Sequence, residues 1–62
     1  MVFQDRVRLE ASELLIKIEA LKDFLNSTVY VSLEAIDQDT MHTQLNIMKS
    51  YYHILEFRIM RF

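Results

Sequence analysis

Residues 7–25 read Val7-Arg8-Leu9-Glu10-Ala11-Ser12-Glu13-Leu14-Leu15-Ile16-Lys17-Ile18-Glu19-Ala20-Leu21-Lys22-Asp23-Phe24-Leu25. Val7, Ala11, Leu14, Ile18, Leu21 and Leu25 recur at steps of four, three, four, three and four. That alternation lays one apolar seam along a helix. Arg6, Glu13, Lys17 and Asp23 lie mostly off it. Glu13 and Lys17 form an i,i+4 pair in the favourable order. The spacing predicts a first helix over about residues 3–26. Leu9 and Ile16 sit nearly opposite the seam and would face water in a lone hairpin.

A second run starts near the middle of the chain. Met41, Leu45, Met48, Tyr52, Leu55, Ile59 and Phe62 keep the same alternation to the last residue. This predicts a second helix over about 35–61, with Arg58 and Arg61 in its final turn, where positive charge suits the helix dipole. Ile47, Tyr51, Ile54, Phe57 and Met60 lie off the seam. A helix apolar around so much of its circumference is expected to be surrounded.

Between the helices, about residues 27–34 should form the turn. Asn26, Ser27 and Ser32 are cap and turn residues. Val29-Tyr30-Val31 favours a strand, but nothing else in the chain could pair with it. We expect a turn or one short helical turn, with Tyr30 and Leu33 folded onto the end of the hairpin. Glu34, Asp37 and Asp39 then bring acid to the start of the second helix.

Composition agrees with this reading. The chain has 62 residues and contains neither glycine nor proline, which sheet proteins need for several tight turns. A single all-α domain over 1–62, a two-helix antiparallel hairpin, is the expected architecture. So short a chain buries little of its own surface. With no cysteine, neither disulfides nor thiolate metal sites can staple it. At 52% apolar residues, it needs copies of itself for cover. A homo-oligomeric helical bundle is expected, with Leu9, Ile16, Ile47, Ile54 and Phe57 at the interface between subunits.

Net charge is −2 and the isoelectric point near 5.5. That is no footprint for duplex nucleic acid or for an anionic membrane surface. No apolar run approaches the ~20 residues that span a bilayer. The first residues lack a basic stretch followed by an apolar core, so a cytoplasmic protein is expected.

Phe24-Leu25, Ser27, Tyr30, Leu33, Gln38, Met41, Gln44, Met48, Tyr51, Leu55, Arg58 and Ile59 resemble a group of short bacteriophage proteins. That group is known by its relation to a gene product of a crAss-like phage. Its pattern is a helix ending in a Phe-Leu-type pair, a Ser-containing turn, then a helix with Gln, Met, Tyr, Leu and Arg-Ile in register. The likeness spans about residues 6–59. Met41 stands where a leucine is usual, and Glu34 where a Ser or Asp cap is usual. The resemblance implies a phage origin and a helical hairpin, and it implies no activity.

Gln44, Tyr51 and Arg58 are seven residues apart and form one line beside the second seam. As a ligand face, Gln44 reads an amide or base edge, Tyr51 offers a flat group, and Arg58 holds a phosphate or carboxylate. Lys17 and Arg8 could join them from the first helix. The plainer reading makes the line an interface rim, with Arg58 paired to an acid such as Glu10 or Glu13 of another helix, and leaves Lys17 and Arg8 solvated. His42 and His53 lie about 16 Å apart along a helix, too far to share a metal within one chain. Asp37 and Asp39 decorate a helix start, and Met41 and Met48 pack the seam.

No nucleophile, acid–base pair or phosphate loop can be assembled, so no enzyme, cofactor or metal is expected. Three readings stay open. The first is a homo-oligomer that captures a small anion, such as a cyclic or linear signalling nucleotide of host antiviral defence, between subunits. The second is a hairpin that docks an apolar face on a host protein and inhibits it. The third is a structural helix pair.

Overall fold

The first helix begins where the chain leaves an extended Val2, whose carbonyl accepts the amide of Arg6 at 3.2 Å. Asp5 lies in the first turn, where negative charge meets the positive end of the helix dipole favourably. The computed structural model describes residues 2–62 and contains three helices: α1 (Phe3–Leu25), α2 (Thr28–Val31) and α3 (Ala35–Met60). Among the described residues there is no strand, so the fold is all-α.

α1 stops without glycine. Asn26 keeps a negative φ of −96°, and its side-chain Nδ2 donates to the Lys22 carbonyl at 3.1 Å. Ser27 then starts α2: its Oγ accepts the Tyr30 amide at 3.3 Å while donating to the Phe24 carbonyl at 2.6 Å. This cap turns the β-favouring Val29-Tyr30-Val31 run into one helical turn. Tyr30 is held further. Gln38 Nε2 donates to the Tyr30 carbonyl at 2.9 Å, and the Tyr30 hydroxyl makes a long 3.5 Å contact back to the Gln38 carbonyl. The Tyr30 ring meets Phe24 and His42 edge-on, at 6.4 and 5.7 Å between centroids. Glu34 enters α3 with its carbonyl accepting the amides of Asp37 and Gln38.

α3 runs back antiparallel to α1, which brings Phe3 against Phe62. The core between them is a single line of Val7, Ala11, Leu14, Ile18, Leu45 and Leu55, with Leu55 fully buried. Leu21, Leu25, Met41, Met48, Tyr52 and Ile59 were expected beside them but are only half-buried. Two helices cover each other along a line, and the flanks of each seam stay open to solvent.

The result is a rod of 44 × 15 × 14 Å with a radius of gyration of 14.3 Å. A compact chain of this length would have about 10.6 Å. Its accessible surface is 4800 Å², where a compact monomer of this mass would expose about 4250 Å². No helix of the described residues is long and apolar enough to cross a membrane.

Candidate functional site at the open end of the hairpin

The antiparallel hairpin sets Phe3 of α1 against Phe62 beyond the end of α3, with Arg8 on Phe62 and Arg58 on Phe3. The two guanidinium groups expected to bind a ligand are therefore brought to one end of the rod. There Phe3 and Phe62 meet edge-on, centroids 5.5 Å apart at 62°. Arg8 lies 5.4 Å from the centre of the Phe62 ring, and Arg58 lies 5.7 Å from the centre of Phe3. Arg61 sits 5.9 Å from Phe57 in the same last turns of α3.

The charges at this end are unevenly balanced. Arg8 also bonds the Asp5 carboxylate at 3.2 Å, an exposed i,i+3 pair of little energetic weight. Among the described residues no acid pairs with Arg58 or Arg61. Within one hairpin Arg58 makes no ion pair with Glu10 or Glu13, and the pairing weighed from the sequence concerns a helix across an interface. Cation–π contacts use the face of a guanidinium and leave its edge N–H donors for a carboxylate or phosphate. Phe3 and Phe62 are about half exposed, at 56% and 42%, so a flat group could stack there.

The other expected site residues lie elsewhere. Gln44, Tyr51 and Arg58 are all exposed, as a surface line requires. Successive members are about 10.5 Å apart along the axis, so one small ligand cannot touch all three on one chain. Gln44 instead edges a groove of about 520 Å³ with Ile36, Asp39, Thr40, Thr43, Ile47 and Met48, and its Nε2 lies 3.8 Å from Met48 Sδ. Lys17 is exposed midway along α1, remote in sequence level from Arg8. His53 contacts Glu56 at 3.2 Å on the surface, and His42 packs on Tyr30. Among the described residues no three His, Asp or Glu side chains gather to hold a metal.

Phe3 and Phe62 were not singled out as ligand residues from the sequence. The signal was present: the two seams, run antiparallel, bring the chain ends together.

The Sequestin family model matches residues 1–61. The chain belongs to the Sequestin family. A relative within reach of it is the uncharacterised 7.5 kDa protein of the denB–rIIB intergenic region of Enterobacteria phage T4. It is 39% identical over 62 residues, covering all of this Sequestin chain and 97% of the relative. A short bacteriophage protein is thus the kind of molecule this Sequestin chain resembles along its whole length. These matches carry the phage likeness and not the narrower link to a crAss-like phage. No solved structure matches the chain.

Proposed function

We propose that this chain is a non-enzymatic binding protein that assembles with copies of itself and sequesters a small anionic ligand between subunits. The ligand class we assign is the cyclic or linear signalling nucleotide of host antiviral defence, captured in the host cytoplasm. One observation carries the reading. Arg8 and Arg58 converge on a pair of half-exposed phenyl rings, with Arg58 unpaired by any acid among the described residues. Guanidinium edges suit phosphate oxygens, and the rings suit a base. The family name, Sequestin, supports capture rather than turnover. The phage relative supports a setting inside an infected cell.

One hairpin end is too open to exclude water from such a ligand. A second copy closing over it supplies the missing wall, which is why self-assembly belongs to the reading. A phosphate buried there needs cationic partners, because an unpaired buried charge is costly.

A second reading keeps support from one observation. Leu9 and Ile16 are 47% and 69% exposed on the side of α1 away from α3, a face that could dock on a host protein.

Thermal unfolding against a panel of cyclic and linear nucleotides tests the proposal. A true ligand at a hundred times its Kd should stabilise the fold by about 2.7 kcal/mol, an easily read rise in midpoint. A panel in which no nucleotide moves the midpoint removes the sequestration reading and leaves the host-protein reading in front.

A further inference from the structure

α3 carries a second apolar stripe that α1 does not touch. Ile36, Thr40, Thr43, Ile47 and Ile54 keep heptad-like spacing, and Ile36, Ile47 and Ile54 are 67%, 64% and 58% exposed. At about 100° per residue, this stripe lies roughly 120° around the helix from the seam that faces α1. A helix with two apolar stripes so disposed has a second neighbour to meet, as in a bundle. The groove of about 520 Å³ lies along the N-terminal half of the same stripe.

The charges along the stripe are segregated. Asp37 and Asp39 flank its beginning, and Arg58 and Arg61 flank its end. Among the described residues none of these four joins an ion pair, although three other pairs form on the surface. A second copy laid parallel would set acid beside acid and base beside base. Laid antiparallel, it sets each acidic end against a basic end and opposes the two helix dipoles as well.

We infer that the outer stripe of α3 seats a second copy of this chain, antiparallel along the same stripe, across a two-fold axis level with Met48 and Lys49, beside Ile47. The contact is self-complementary, as a two-fold interface must be. Ile47 packs beside the partner's Ser50, and Thr43 beside the partner's Ile54. The partner's Ile54 and the flanking turn then fill the groove between Thr40 and Ile47. In this register Asp39 comes level with the partner's Arg58 and Asp37 with the partner's Met60, about 3 Å further along the axis, and the two hairpins form a four-helix bundle. The inference rests on the self-assembly proposed above and adds its surface, its direction and its register.

The chain has no native cysteine, so engineered ones report cleanly. Thr43→Cys and Ile54→Cys are made as separate single variants of the full chain, both at exposed positions outside the hairpin core. Mixed in equal amounts and oxidised, they should give a disulfide-linked mixed dimer, while neither variant alone links to itself. In the antiparallel register the two Thr43 positions lie about 16 Å apart, beyond the reach of a disulfide. Self-linking of Thr43→Cys alone means a parallel pair and overturns the inference. No linking in any mixture, from protein that still sediments as an oligomer, places the interface elsewhere and overturns this inference while leaving self-assembly standing. A monomer by sedimentation overturns both. Ile47→Asp supplies a second readout. It should weaken self-association by roughly a hundredfold or more, since it buries a charge beside the axis. Its far-ultraviolet helicity should be unchanged, and unaltered association in that variant contradicts the proposed axis.

Discussion

Leu55→Ala should cost about 2–5 kcal/mol of folding stability, the range for truncating a buried leucine. Leu55 is the one side chain with no exposed surface, and it sits in a core of only six buried residues. A chain this small has little reserve, so a loss of that size removes most of what holds the hairpin. Denaturant unfolding followed by circular dichroism reads it directly. The matching change at an outer position, Ile36→Ala, removes a side chain that is 67% exposed in the hairpin. Its effect should track protein concentration instead, because it acts on assembly rather than on the hairpin. A neutral Leu55→Ala contradicts the register in which α1 and α3 pack.

The second large effect is expected at the charged end. Removing a charge-assisted contact to a buried anion costs about 1.5–3 kcal/mol, so Arg58→Ala should lower nucleotide affinity roughly ten- to hundredfold. Arg58 also flanks the outer stripe of α3, where a rim ion pair contributes about 0–1 kcal/mol. Assembly should therefore weaken by only a few-fold in that variant. Arg8 separates the two roles, since it lies on α1 and contacts Phe62 rather than the α3 stripe. Arg8→Ala should lower ligand affinity with the assembly intact. Titration calorimetry and sedimentation on the two variants measure both quantities. If either substitution loosens the assembly and leaves ligand affinity untouched, these arginines are interface residues and the ligand site is misplaced.

The helical seams were readable because their periodicity is local. Val7, Ala11, Leu14 and Ile18 repeat on one face, and the structure buries that face. The extent of burial was not readable from periodicity, which marks a face but not how many neighbours cover it. Hence Met48 and Tyr52 lie on the seam yet stay half-buried. At the linker, Val29-Tyr30-Val31 carried a strand preference that tertiary contacts override. The Ser27 cap is local, and the exchange between Tyr30 and Gln38 adds a tie from the linker to α3.

The candidate site was legible in its chemistry and less so in its geometry. A seven-residue spacing puts Gln44, Tyr51 and Arg58 on one line, but a line is not a pocket. Convergence depends on the antiparallel partner helix, which joins Arg58 to Phe3 and Arg8 to Phe62. Two of the five expected ligand residues meet in this way within one chain. Gln44, Tyr51 and Lys17 are exposed and lie along the rod, away from that end of the chain.

Self-assembly and capture of an anionic ligand together make up the central claim, and one measurement reads both. Native mass spectrometry of the purified protein is run with and without cyclic and linear nucleotides. The account predicts an even-numbered homo-oligomer that takes up a fixed whole number of one nucleotide class and retains it through desolvation. A monomer, or an oligomer that retains no nucleotide from a broad panel, would contradict it.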